Sequence, residues 1–377
     1  MTNYINGAIR ESIERAKMLI SKIPGAKDLG LYFSPLARAA TTDIQNIINS
    51  LDYLYNDVDY SDASNLRQKF FKFKKLSGNL AEIENVVIAA MSRITPDDEF
   101  VNKLVYEICS EISYPLPSPV ASCLSQKYYH IYAEYGLLCI PLLESDFVLH
   151  IPDVYHELGH PLIELDNPKV EPFKKSLGQF NAIVRKHFDD EIKRRNLNKS
   201  VPGEFDPLLV YKSTWLEHWS IEIFCDLFAT YTLGPAYAWS NIHMCAKMSW
   251  DTYRLPTFQK ISHPPNEARM KAIILGLNII GCKSDAEAIQ KKWDEFKHIV
   301  GQRKGPDFSI AVPEKLLKDA ADLCLIGTRN IGSEIYNVTN QNKVNLLLNN
   351  SWKAFWKDPE AFADGEAEMF RNFKASF

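Results

Sequence analysis

The residues best suited to chemistry lie in one stretch, His156-Glu157-Leu158-Gly159-His160. Side chains four residues apart fall on one face of a helix, so both imidazoles can reach a single metal ion. Glu157 stands beside them, where a carboxylate can take a proton from a metal-bound water. A hydrolytic zinc site needs a third protein ligand and one open position. Glu222, in the stretch WLEHWSIEIFCDLFATYTLG, is the leading candidate, with Asp226 one helical turn on. That spacing lets Glu222 bind the metal while Asp226 accepts a hydrogen bond from a liganding histidine and fixes its tautomer. Ile221, Ile223, Phe224, Leu227 and Phe228 surround the pair, and carboxylates among so many apolar neighbours need a partner or a metal. Asp166 stands where an HExxHxxGxxH/D pattern puts its third ligand, but Ile163 replaces the turn glycine and is β-branched, which suits positive φ poorly. Glu164, Glu217 and His218 are weaker alternatives; His218 lies one turn before Glu222 and can equally line the pocket.

These residues need elements to hold them. Two apolar runs in Tyr135 to Val154, split by Glu144-Ser145-Asp146, predict a β-hairpin whose second strand, Phe147 to Ile151, leads into the HExxH helix. Such a strand beside a metal can hold an extended peptide by strand addition. Gly159 permits close approach of another backbone, and Pro161 predicts a kink or end in the helix. Helices are expected over Glu171 to Arg195 and Thr214 to Leu233. Upstream, Ile5, Ile9, Ile13, Ala16, Ile20 and Ile23 fall at helical spacing, and Pro24-Gly25 stops the run. Thr42 with Gln45 and Ser284 with Glu287 read as capping boxes, and another helix starts at Thr95-Pro96. The run PLPSP, Pro115 to Pro119, marks a boundary. Further helices are expected over Glu314 to Leu325 and Val344 to Trp356.

The chain of 377 residues is 46% hydrophobic and 24% charged, with a net charge of −4. That is a globular composition, with no global pull toward nucleic acid or an anionic membrane. The seven cysteines show no CxxC spacing and read as buried free thiols. The first twenty residues lack the apolar core of a secretory signal, and the apolar run at Ala272 to Gly281 is too short to span a bilayer. A cytoplasmic protein is the expectation. Arg67 to Lys75, RQKFFKFKK, interleaves basic and aromatic residues; an amphipathic helix with partly buried phenylalanines accounts for it better than a nucleic-acid patch. The tryptophans read as core or pocket wall. His130, His150, His187, His243 and His298 lack a spacing partner and are assigned no role.

HExxH, the downstream ExxxD and then His263-Pro264-Pro265-Asn266-Glu267-Ala268-Arg269 occur in order. With these three elements the sequence resembles the gluzincin class of zinc metallopeptidases, and is most similar to the branch containing the CAAX-type and heat-shock-type peptidases, without their membrane spans. The resemblance covers about Tyr135 to Ala272. It implies His156, His160 and Glu222 as zinc ligands, Glu157 as general base and Asp226 behind a ligand. It also implies Arg269 as a buried positioning residue and His263 close to the developing oxyanion.

The expected fold is mostly α, of α+β type. A zincin-like core over residues 119–280 is flanked by helical regions over 1–118 and 281–377, the latter able to pack with the core as one unit. The expected function is zinc-dependent hydrolysis of a peptide or protein substrate, with no nucleic-acid or membrane partner and with helical flanks that offer a surface to a protein partner. A catalytically silent zincin-like module, and a zinc hydrolase of a non-peptide amide, are the alternatives; the intact Glu157 argues against the first.

Overall fold

The computed structural model describes residues 2–56, 65–125, 128–196, 206–248, 252–339 and 342–375. The protein is mostly α-helical with one small sheet. Its N-terminal helices are α1 (Thr2–Lys22), α2 (Ala26–Asn56) and α3 (Leu66–Glu82); α3 continues through a π-turn, Ile83–Ile88, into α4 (Ala89–Met91). Ile5, Ile9, Ile13 and Ala16 are buried at helical spacing as expected. Within α2 the helix bends at Gly30, whose φ of 62° is accessible to glycine at no steric cost. Thr42 lies inside α2, not at its start. The amides around it are already paired along the helix, and its hydroxyl donates back to the Arg38 carbonyl at 3.0 Å. Helix α5 (Pro96–Glu111) does begin with a capping box, in which Thr95 and Asp98 bond each other's backbone amides.

Three strands follow, β1 (Val120–Ser122), β2 (His130–Tyr132) and β3 (Leu137–Cys139), in the spatial order β1-β3-β2. β1 runs parallel to β3, and β2 runs antiparallel to it with His130 opposite Cys139. The sheet sits between two cores, because alternate residues of a strand point to opposite faces. Val120, Leu137 and Cys139 join the core of α1 to α4, whereas Ala121, Ile131 and Leu138 join a larger core that runs from Val101 to Phe373.

The hairpin expected over Tyr135 to Val154 is absent. β3 is its sole strand; Leu142–Ser145 is a 3-10 turn and Phe147 to Ile151 forms turns. The Ile151 amide bonds the Val148 carbonyl, and the Val148 amide donates to the Glu366 side chain at 2.9 Å, so neither is in a strand ladder. Val148, Leu149 and Ile151 are all buried, which is not the alternation of a half-buried strand. β1 and β2, with three residues each, left too short a pattern to be read from the sequence.

The site helices come next. α6 (Asp153–Glu157) and α7 (Gly159–Glu164) are one helix interrupted at Leu158. Pro161 explains the break, since it has no N–H for the Glu157 carbonyl and its ring crowds that group. The Leu158 carbonyl, at the break itself, accepts the Tyr114 hydroxyl at 2.8 Å. α8 (Glu171–Asn196) and α9 (Pro207–Thr214) lead through a π-turn, Trp215–Trp219, into α10 (Ser220–Leu233). The remaining helices are α11 (Pro235–Met248), α12 (Asn266–Ile279), α13 (Lys283–Val300), α14 (Phe308–Ala311), α15 (Glu314–Asn330), α16 (Lys343–Lys357) and α17 (Pro359–Lys374). α13 starts at Lys283 behind Cys282, so Ser284 sits inside the first turn and does not cap it.

α10 is the hub. It packs against α6, α7, α8, α11, α12 and α15, and Ile223, Phe224, Leu227 and Phe228 are fully buried. Trp215, Trp219, Trp293 and Trp352 fill the same core; Trp250 lies outside the described residues. All seven cysteines are buried free thiols. In α3, Phe70 and Phe71 are exposed while Lys69 is buried, so the basic-aromatic stretch turns its apolar residues outward more than the sequence suggested. No helix among the described residues is long and apolar enough to cross a membrane.

Candidate metal centre

A ligand atom each from His156, Glu157 and His160 lie within 4.8 Å of one another. The α6–α7 helix carries all three, and its close packing on α10 brings Glu222 alongside. That packing depends on Gly159, where a Cβ would stand 2.9 Å from the Cα and Sγ of Cys225. Glu222 Oε2 lies 3.5 Å from His156 Nε2. This oxygen is buried and has no hydrogen-bond partner, an arrangement that is costly unless a cation satisfies it.

The other ring nitrogen of His156 is occupied. Nδ1 lies 2.9 Å from Asp226 Oδ1 and 3.1 Å from the Tyr237 hydroxyl. Because Asp226 holds Nδ1, Nε2 is the ring nitrogen that faces Glu222. Asp226 is itself fully buried. Arg269 donates to both its oxygens, Nε at 2.8 Å and Nη2 at 2.6 Å, and Tyr237 donates to Oδ1. Burial alone would raise the Asp226 carboxyl; the Arg269 guanidinium outweighs it and holds the group well below the usual carboxylate range. Burial would likewise raise Glu222, yet His156 beside it brings it down to about 2. Burial pushes His156 the other way, and the two carboxylates lift it to about 10. Two ionised acids thus converge on one imidazole, and the field there favours positive charge.

The centre forms part of the wall of a cavity of about 1060 Å³. β2 lines one side with His130, Ile131 and Tyr132, and the segment from Ile261 to Asn266 lines another. Asp153, at the start of α6, accepts from Tyr128 and from Ser240 (3.1 Å). His263 lines the cavity with its side chain 64% exposed, its Nε2 3.8 Å from Glu222 and its Nδ1 2.9 Å from Ser262 Oγ.

Of the other candidates, Asp166 is exposed beyond the end of α7 and does not line the cavity. His218 is half-buried on the π-turn before α10, also off the cavity. Glu217 is exposed and pairs with Lys260. Glu164 lies 3.5 Å from His160 Nδ1, half exposed.

Sequence reasoning missed Tyr237, which touches both Asp226 and His156, and the cavity-lining residues His130, Tyr128 and Asp153. None carries a spacing signal, because each reaches the site through a fold contact. Comparison with protein-family models, with curated proteins and with solved structures gives no match, so the meaning of the site rests on its own geometry.

Proposed function

We propose that the protein is a zinc-dependent metallopeptidase with a gluzincin-like centre, in which His156, His160 and Glu222 hold the metal. The observation that carries this reading is the buried, unpartnered Glu222 oxygen facing the free nitrogen of His156, beside Glu157 and His160. Two imidazoles and one carboxylate are a donor set that suits zinc. When bound, zinc would supply a Lewis acid that polarises a carbonyl and makes water nucleophilic near neutral pH.

The protein's own residues do the rest. Glu157 takes a proton from the attacking water and then passes it to the departing amine. His263, exposed at the cavity edge, donates to the oxyanion as it develops. Asp226, clamped by Arg269 and Tyr237, keeps His156 in one tautomer and one ring orientation. β2 is an outer strand of the sheet and its three residues line the cavity, so it is the strand to hold an extended peptide by main-chain pairing. The Phe147–Ile151 segment, which forms no strand, has no part in this reading.

Metal analysis with chelation tests the reading. Purified protein should carry about one zinc per chain, as a single three-ligand site requires. Peptide cleavage should stop on chelation and return with zinc. His156→Ala, His160→Ala and Glu222→Ala proteins that fold yet still hold full zinc would contradict it.

A further inference from the structure

The cavity wall is rich in acid: Glu82, Glu134, Asp153, Glu157, Glu164 and Glu222 all line it. Two arginines also line it, and they differ in one respect. Arg269 is buried and committed to Asp226. Arg254 is exposed on the wall and forms no ion pair or hydrogen bond with any described residue. The backbone that carries Arg254 is held on both sides. Thr252 on one side is buried, donates its amide to Gln302 and accepts that of Glu267. Tyr253 packs edge-on against Phe308, Leu255 packs on the large core, and Pro256 is buried. The residues on either side are therefore fixed, and Arg254 lines the cavity from a firm base.

We infer that Arg254 is a specificity-determining residue that receives a carboxylate of the bound peptide, either an acidic side chain or the free C-terminus. This inference rests on the peptidase reading for its choice of ligand class. Guanidinium and carboxylate match as a bidentate pair, and a free guanidinium in an otherwise acidic cleft both attracts that group and orients the chain that carries it. A neutral peptide would leave Arg254 unmatched, and a basic group placed against Arg254 would meet like charge.

Binding, not turnover, gives the clean test. The probes are fluorescent hexapeptides with Asp, Asn or Lys scanned through each position, each made with a free-acid and an amidated C-terminus. They are titrated by anisotropy against zinc-supplemented Glu157→Gln protein, alone and with Arg254→Gln or Arg254→Glu added. We expect a carboxylate at one position to tighten binding at least tenfold over its amide counterpart. Arg254→Gln should abolish that preference, and Arg254→Glu should invert it toward lysine. The preferred position tells an acidic side chain from a terminal carboxylate. A preference unchanged in Arg254→Gln, no discrimination by the parent, or no binding of any probe would overturn the inference. Charge-selective binding lost with Arg254, without any cleavage by the wild type, would uphold Arg254 and remove the peptidase reading. Cleavage without charge preference would do the reverse.

Discussion

Asp226 organises the candidate centre from behind. It touches no cavity surface, yet it orients His156 and is held in turn by Arg269 and Tyr237. A buried ion pair is worth little against a well-packed apolar pair, but breaking one side of it strands a charge. Arg269→Met should therefore cost about 3–5 kcal/mol, measured by urea unfolding, whereas the exposed pair Lys315–Asp319 should cost under about 1 kcal/mol on removal. Loss of the Tyr237 hydrogen bond on Asp226 is milder. Tyr237→Phe should weaken zinc binding by about 10-fold or more in a competition titration, with folding retained. His156, Glu157, His160, Glu222 and Asp226 were legible as a group because helical spacing alone aligns them within two segments. Tyr237 was not legible, since its distance along the chain from Asp226 and His156 follows from how α11 turns back on α10.

At the scale of elements, the contact between α7 and α10 decides the geometry. It is close because Gly159 has no side chain and Cys225 lies directly behind it. Gly159→Ala puts a methyl 2.9 Å from backbone as well as sulfur, and backbone cannot step aside as a flexible side chain can. The expected cost is about 1–3 kcal/mol, accompanied by weaker zinc binding as Glu222 moves off His156. Stability equal to wild type together with unchanged zinc affinity would show that the contact does not set the centre. The sequence marked Gly159 and Pro161 correctly as local devices. It misled at Phe147 to Ile151, where apolar residues serve burial in turns and not strand pairing, and at Thr42 and Ser284, where capping residues sit inside helices that had already begun. Periodicity reports which side chains are buried, but a cap is set by where the chain bends.

For the whole molecule, the long helical flanks have a structural answer. The larger core draws on α5, on the site helices and on α12 to α17 together, so the C-terminal region is not separable from the site. Trp293 donates to the buried Glu267 of α12 at 2.8 Å, and Tyr231 of α10 donates to the Ala321 carbonyl of α15 at 2.7 Å. A chain truncated after residue 280 should therefore fail to fold, seen as lost near-ultraviolet dichroism and lost amide protection in α10. The mostly helical character of the protein was readable from its apolar stripes; the three-stranded sheet was not, because strands of three residues have no period to detect. The central claim is that this fold brings Glu157 to a metal centre as the base of a peptide hydrolysis. The most direct measurement compares peptide-library cleavage by wild-type and Glu157→Gln proteins at equal zinc content. The account predicts a fall in kcat/KM of about 10²–10⁴-fold with zinc retained; cleavage at the wild-type rate by the zinc-loaded Glu157→Gln protein would contradict it.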